Sequence, residues 1–184
     1  LHLVARGKQR LIDLAAEITE QSGLRPIISD HLSEVLPLSD IVISATSSGG
    51  QIVQAKDLKA GSIVCDVAVP YDISRDVAES RPDVLVIEGG LVQVPGEIDL
   101  GFDIGYPPGV VLACMAETII LCLEGICEHS SIGRNISLAE VERMKDLADK
   151  HGFKLAGFRS FDRAVTDEQI ERVRASASTA SRAQ

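Results

Sequence analysis

Residues 40–45 (DIVISA), 62–67 (SIVCDV) and 84–87 (VLVI) are the stretches of sequence that decide the fold. These three runs are almost continuously apolar and rich in Val and Ile. A strand with one solvated face alternates apolar and polar residues, so continuous apolar runs indicate strands with both faces covered. Small residues, glycine or proline follow each run, as is typical of a strand that ends in a turn. The pattern predicts a parallel α/β sheet with flanking helices.

The residues before these runs extend the same pattern. Residues 1–6 (LHLVAR) are compatible with a strand, and apolar residues recur at helical spacing over residues 10–18. The chain contains no GxGxxG loop, which in a complete dinucleotide fold follows the first strand. The predicted fold is therefore a Rossmann-like parallel sheet that lacks its first strand and glycine-rich loop, followed by C-terminal helices. The chain begins at Leu1 inside a predicted strand, so we expect a fragment. Because the glycine-rich loop and the central first strand are missing, we expect this chain not to bind a dinucleotide tightly.

The second half of the chain predicts helices. A long apolar helix is expected from about Gly109 to Glu128, and the capping-box sequence SLAE at residues 137–140 opens another that runs to about His151. A short helix starts near Thr166, and the tail from Arg174 lacks large apolar residues, which predicts disorder. The predicted domains are a partial Rossmann NADP-binding domain (residues 1–107), C-terminal helices that carry the candidate nucleophile (108–165), and a short helix with a disordered tail (166–184).

Composition argues against several classes of partner. Asp and Glu number 27 against 18 Lys and Arg, a net charge of −9, so a nucleic-acid surface would need strong local asymmetry. Glu117 and Glu124 interrupt the longest apolar stretch, whereas a membrane span needs about 20 mostly uncharged residues. The four cysteines form no CxxC pair, which favours free thiols in a reducing compartment. We expect a cytoplasmic protein with no nucleic-acid partner, transmembrane segment or metal site.

The loops that follow the predicted strands favour a nucleotide site. In open parallel sheets a ligand binds outside the carboxyl ends of the strands, and small residues there let a flat ligand approach the backbone. Arg6 and Lys8 follow the strand predicted at residues 1–6, and no acidic residue occurs before Asp13. Basic residues at this place favour NADPH over NAD. Plain turn residues and a solvated basic helix start remain the alternatives. The predicted cofactor-binding residues are Arg6, Lys8, Ala45, Thr46, Ser47, Val67, Ala68, Gly89 and Gly90.

Cys114 is the candidate nucleophile and Glu117 the candidate acid–base group. Helix N-termini favour the thiolate only within the first turn, and a helix that starts near Gly109 places Cys114 just outside it. A cysteine that merely packs is the alternative. Glu117 follows three residues later, where it is placed to orient the thiol or relay a proton. The alternative for Glu117 is a structural role, in which a neighbouring element satisfies its carboxylate by a hydrogen bond.

Three separated motifs carry a family resemblance. LACMAE (112–117), GRNIS (133–137) and KHGF (150–153) resemble, in order, the C-terminal part of the long-chain acyl-[acyl-carrier-protein] reductases, NADPH-dependent enzymes that form fatty aldehydes. LVAR (3–6) and DIVI (40–43) resemble the nucleotide domain of the same family. The resemblance implies that Cys114 forms an acyl-enzyme, that the cofactor is NADPH, and that the substrate is a thioester of acyl-carrier protein or coenzyme A.

A broader resemblance leaves the function open. DIVISAT (40–46) and CDVAVP (65–70) resemble the nucleotide domains of glutamyl-tRNA reductases and shikimate dehydrogenases, although VAVP departs from the glycine-rich form of the acyl reductases. Three functions follow: part of an acyl-thioester reductase, which is the first hypothesis; a shikimate dehydrogenase-like or glutamyl-tRNA reductase-like oxidoreductase domain; or a truncated, non-catalytic interaction domain. We expect the parent to be an enzyme and this chain alone to be inactive, with homo-oligomerisation left open.

Overall fold

The computed structural model describes residues 1–130, 133 and 136–182, the last three by backbone alone. The chain divides into two compact units, residues 1–87 with 166–184, and residues 88–165. The helices are α1 (Lys8–Ser22), α2 (Leu32–Val35), α3 (Arg75–Ser80), α4 (Ala113–Leu123), α5 (Leu138–His151) and α6 (Asp167–Arg182). The strands are β1 (His2–Val4), β2 (Ile27–Ser29), β3 (Ile41–Ser44), β4 (Ile63–Asp66), β5 (Leu85–Glu88), β6 (Leu91–Gln93), β7 (Val110–Leu112), β8 (Lys154–Leu155), β9 (Arg159–Ser160) and β10 (Arg163–Ala164).

Parallel strands with flanking helices form the first unit, as the sequence predicts. β1 pairs in parallel with β2, with His2 opposite Ile27. A separate sheet has the order β3-β4-β5, in which β3 and β4 run parallel and Ser44 lies opposite Asp66. The Rossmann-like α/β class is thereby confirmed. β1 and β3 belong to different sheets and are not paired with each other.

The side chains of β3 are less buried than predicted, because the sequence indicated a strand with both faces covered. Val64 of the central strand β4 is fully buried, as expected of a core strand. Ile41 and Ile43 of β3, however, are 66% and 73% exposed. β3 lies at the edge of its sheet, so its alternate side chains are not covered as those of an inner strand are.

Helix α6 contradicts the predicted disordered tail. It begins where the sequence predicts: Thr166 N–H donates to Gln169 Oε1 at 2.9 Å, and Gln169 N–H donates to Thr166 Oγ1 at 3.3 Å. The helix then continues to Arg182. Val173 is buried, and Ala177 lies so close to Gly61 that a Cβ on this glycine would overlap it. The small side chains of the tail therefore permit close packing, which the prediction of disorder overlooked.

An antiparallel sheet and two helices form the second unit. β6 lies between β7 and β8, with Val92 opposite both Val111 and Leu155. The buried residues of its core are Val94, Val111, Ala116, Ile120 and Phe153. Since β6, at residues 91–93, pairs with β7 and β8, the division near residue 88 precedes the predicted domain boundary at residue 107.

The long helix predicted from Gly109 to Glu128 is wrong at both ends. Gly109 has a φ of +78°, and the residues after it form β7, because the β-branched Val110 and Val111 pair with β6. Helix α4 then spans Ala113–Leu123. Only Ala116 and Ile120 are buried in it, so α4 has one buried face and is not surrounded by other elements.

Helix α5 has the predicted capping box. Glu140 N–H donates to Ser137 Oγ at 3.2 Å, and Ser137 N–H donates to Glu140 Oε2 at 2.8 Å. These reciprocal bonds satisfy two backbone donors that a helix N-terminus otherwise leaves unpaired. Gly152, at φ +80°, ends the helix in the left-handed conformation that glycine adopts readily. Throughout the described residues, the helices are too short or too polar to cross a membrane.

Candidate functional site

The predicted loop residues of the first unit lie directly behind their strands. Ala45, Thr46 and Ser47 follow β3, and Val67 and Ala68 follow β4. Because β3 and β4 are parallel and end in register, both loops leave the same edge of the sheet. The loop after β3 is exposed, and Val67 is exposed while Ala68 is buried.

A fully buried carboxylate, Asp72, holds the loop after β3. Its Oδ2 accepts hydrogen bonds from Ser44 Oγ at 2.6 Å and Thr46 N–H at 3.1 Å, while Oδ1 accepts from Thr46 Oγ1 at 2.6 Å and Ser48 Oγ at 3.0 Å. Burial raises the pKa of Asp72, but these hydrogen bonds outweigh it and hold the pKa below its ordinary value. Asp72 is therefore an ionised anchor for residues 44–48.

Asp66 holds the loop after β4 in the same manner. This buried side chain ends β4 and accepts backbone hydrogen bonds from Ala68 at 3.0 Å, Asp72 at 2.8 Å and Ile73 at 3.0 Å. Burial raises the pKa of Asp66, partly countered by these bonds, and the charge of Asp72 raises it further. The Asp72 carbonyl in turn accepts from the backbone of Ile52 at 2.8 Å and Val53 at 3.2 Å. The two carboxylates thus connect both loops at the sheet edge.

Sequence reasoning missed both aspartates. An acidic residue inside the apolar run at residues 62–67 was the available signal for Asp66. No sequence signal identified Asp72, because it lies 24 to 28 residues along the chain from Ser44, Thr46 and Ser48, and such a separation does not predict contact. Burial of a carboxylate requires several donors, and these become visible only when the loops are folded together.

The predicted basic residues Arg6 and Lys8 lie after β1, at the start of α1. Both are exposed, and within the described part of the chain neither makes a hydrogen bond or ion pair. Gly7 is the N-cap residue of α1 and supplies no side-chain cap. A guanidinium, an ammonium and uncapped helix N–H groups together suit an anionic group such as a phosphate.

In the second unit, the Gly89-Gly90 turn is joined to the helix that carries Cys114. The turn connects β5 to β6, and the Gly90 carbonyl accepts a 2.7 Å hydrogen bond from Ala113 N–H. Ala113 is the first residue of α4, so Cys114 is the second. The expectation that Cys114 lies beyond the first turn is wrong, because β7 delays the helix start. Cys114 is exposed, in the turn where helix N–H groups favour negative charge.

Glu117 is held by a neighbouring segment. Its Oε1 accepts a hydrogen bond from Ser130 Oγ at 2.9 Å. This contact agrees with the alternative interpretation of a satisfied carboxylate, and a role in proton transfer stays a prediction. Cys122 and Cys127 are exposed free thiols. Among the residues that the structure describes, no three His, Cys, Asp or Glu side chains are grouped to hold a metal ion.

Known proteins resemble this chain over most of its length. Residues 1–88 match the family of shikimate / quinate 5-dehydrogenases. "Aminotransferase PigE" of Serratia sp. is 33% identical over 176 residues, covering 92% of this chain and 20% of the relative. The long-chain acyl-[acyl-carrier-protein] reductase of Synechococcus elongatus is 28% identical over 160 residues, covering 84% and 45%. The glutamyl-tRNA reductase of Methanocaldococcus jannaschii is 30% identical over 149 residues, covering 80% and 32%.

These similarities define a general class. Residues 1–88, just under half of the chain, are similar to the shikimate / quinate 5-dehydrogenase family, and the chain is distantly similar to an acyl-[acyl-carrier-protein] reductase and a glutamyl-tRNA reductase. The dehydrogenases and reductases among these relatives are oxidoreductases, which is the general kind of protein that this chain resembles. The acyl reductase, at 28%, is less similar than the aminotransferase, at 33%. The chain spans between 20% and 45% of the length of these three relatives.

Proposed function

We propose that this chain is the cofactor-binding and nucleophile-bearing part of an NADPH-dependent reductase that converts a fatty acyl thioester to an aldehyde. The observation that carries the proposal is the position of Cys114, which is exposed in the first turn of α4. Its neighbour Ala113 donates a backbone hydrogen bond to the carbonyl of Gly90. Similarity to a long-chain acyl-[acyl-carrier-protein] reductase over 84% of the chain supports the substrate class. The carrier is acyl-carrier protein or coenzyme A.

Cys114 supplies the covalent chemistry. Its thiolate attacks the carbonyl carbon of the acyl thioester, a new C–S bond forms to Cys114, and the carrier thiol leaves and takes up the proton that Cys114 gave up. Cys114 lies in the first turn of α4, where backbone N–H groups have no partner within the helix. Sulfur suits both stages, because a thioester remains a good electrophile and thiolate is a good leaving group. Glu117, one turn further along α4, is our candidate for orienting the thiol.

NADPH fits the residues of the first unit. Arg6 and Lys8 are exposed and have no partner among the described residues, so they would hold the ribose 2′-phosphate. The short side chains of the loops after β3 and β4 would allow the backbone to approach a flat ring. When bound, NADPH supplies the hydride that reduces the Cys114 thioester to the aldehyde. All four cysteines are free thiols, which supports a cytoplasmic setting.

The test of this function is aldehyde formation by the intact parent protein. We expect Cys114→Ala to abolish the conversion of an acyl thioester to aldehyde. Cys122→Ala, which removes another exposed thiol from the same helix, should leave it unchanged. Undiminished turnover in Cys114→Ala would exclude the thiol mechanism.

A second candidate is a shikimate dehydrogenase-like or glutamyl-tRNA reductase-like oxidoreductase in which Cys114 has no catalytic role. The match of residues 1–88 to the dehydrogenase family favours it. In such an enzyme hydride passes directly to the substrate, so no acyl group becomes attached to the protein. Formation of an acyl adduct on Cys114 therefore separates the two candidates.

A further inference from the structure

A cleft between α4 and α5 has no role in the site described so far. It lies within the second unit and has a volume of about 300 Å³. Aliphatic side chains of both helices line it, namely Ala113, Ala116 and Ile120 of α4 and Val141, Met144 and Ala148 of α5. A pocket with such a lining suits an apolar ligand.

The polar side chains of the lining already have partners. Glu117 accepts from Ser130, and Glu140 accepts from Ser137 in the capping box. Lys145 donates to Asp149 at 3.0 Å. Because the protein satisfies these groups, the described residues of the lining present no unpaired charge that would require a polar ligand.

The cleft begins at the turn of α4 that carries Cys114. Ala113 and Glu117 both line the cleft. Ala113 comes one residue before Cys114 on the helix, and Glu117 comes three residues after it. Cys114 does not itself line the cleft, but residues three apart lie on neighbouring sides of a helix, so its thiol is at the margin of the lined face, next to Glu117. From Ala113 to Ile120 the cleft follows α4 for about 10 Å, at 1.5 Å per residue.

We propose that this cleft holds the hydrocarbon chain of the acyl group that Cys114 accepts, an inference that rests on the proposed function. A water molecule occupies about 30 Å³ of liquid, and a methylene group is of similar size, so the cleft accommodates roughly ten carbon atoms. Each buried methylene should strengthen binding about fourfold until the cleft is filled. The preferred substrates are therefore thioesters with unbranched aliphatic chains of at least about ten carbons.

Binding of decanoate to the 184-residue chain, measured by calorimetry, tests the cleft without requiring any reaction. We expect decanoate to bind at least tenfold more tightly than butanoate. Val141→Asp places a charge in the cleft at a residue that is 53% exposed, so the fold is retained, and should weaken decanoate binding at least fivefold. Leu138→Asp changes a 66% exposed residue of the same helix that does not line the cleft, and should alter binding less than twofold.

A second measurement separates this inference from the proposed function. In the intact parent protein, the rate of Cys114 acylation by N-acetylcysteamine thioesters should rise from butanoyl to decanoyl and fall in Val141→Asp. Acylation without chain-length preference, or unaltered by Val141→Asp, overturns the cleft assignment and leaves the proposed function standing. Decanoate binding that is sensitive to Val141→Asp, with no acylation of Cys114, overturns the proposed function and leaves the cleft as an aliphatic-chain site. Equal binding of decanoate and butanoate overturns the cleft assignment.

Discussion

The backbone N–H of Ala113 donates a 2.7 Å hydrogen bond to the carbonyl oxygen of Gly90. This bond joins the Gly89-Gly90 turn to the first residue of α4, the helix that begins where β7 ends. Cys114 is the second residue of α4 and lies in its first turn, with its side chain exposed. Two features that the sequence suggested separately, a glycine turn and a reactive cysteine, therefore belong to one local structure.

Replacing Asp72 with Asn should destabilise the first unit. The amide loses the charge and can no longer accept the full set of bonds from Ser44, Thr46 and Ser48. Hydrogen bonds to a buried charged group contribute about 1.5–3 kcal/mol, so we expect a loss of about 2 kcal/mol in the free energy of unfolding in urea. Asp40→Asn is the control, since its carboxyl, paired with Lys59, is 82% exposed and should contribute less than about 1 kcal/mol. Equal losses in the two variants would contradict the anchoring role.

The contribution of Asp72 should depend on pH. Its pKa is lower in the folded protein than in the unfolded chain, so its ionisation stabilises the fold above the unfolded pKa of about 3.9. This stability is lost as the pH falls through the folded pKa. The difference in unfolding free energy between wild type and Asp72→Asn should therefore shrink between pH 5 and about pH 2.5. A difference that stays constant over this range would mean that the charge of Asp72 is not the stabilising feature.

The contribution of Asp66 to stability should change with pH in the opposite direction to that of Asp72. Burial raises its folded pKa, so its contribution to stability is complete below the unfolded pKa and is lost as the pH rises through the folded value. Titration of the Asp66 carboxyl carbon by NMR should show a midpoint above the ordinary aspartate value of about 3.9. A midpoint at or below that ordinary value is the contrary result.

Substitution at Gly61 should release α6. A Cβ at Gly61 would overlap the backbone of Ala177, and the φ of +79° strains any L side chain. We expect Gly61→Ala to cost about 1–3 kcal/mol of unfolding free energy and to speed tryptic cleavage after Arg172 and Arg174. Gly50→Ala, where nothing lies within 4 Å of the added carbon, should change neither quantity appreciably. If Gly61→Ala left cleavage unchanged, the close packing of α6 would be wrong.

Arg6 should determine the choice between NADPH and NADH. In the intact parent protein, Arg6→Glu should lower the ratio of kcat/KM for NADPH to that for NADH about tenfold, because a charge-assisted bond to the 2′-phosphate contributes about 1.4 kcal/mol or more. Arg25→Glu makes the same charge change at another exposed residue of the first unit. A similar ratio in the two variants would show that Arg6 does not contact the phosphate.

The sequence predicted those elements whose signals are local. The strands β3, β4 and β5 follow from apolar runs bounded by turn residues, and α5 follows from its capping box and Gly152. β7 was not predicted, because Val110 and Val111 precede a helix without a break and form a strand only by pairing with β6.

The same distinction applies to the candidate site. The loop residues after β3 and β4 could be placed from the strand ends alone. The Asp72 network could not, because it joins residues 24 to 28 positions apart whose contact depends on the fold. The position of Cys114 in the first turn was not predicted either, because it depends on β7, which occupies the residues directly before α4.

The mass of the Cys114 peptide, after incubation of the intact parent protein with decanoyl-N-acetylcysteamine and proteolysis, tests the central claim most directly. The account predicts an increase corresponding to one decanoyl group on Cys114, absent from Cys114→Ala and retained in Cys122→Ala. Absence of any adduct on Cys114, or an equal adduct on Cys122 and Cys127, would contradict it.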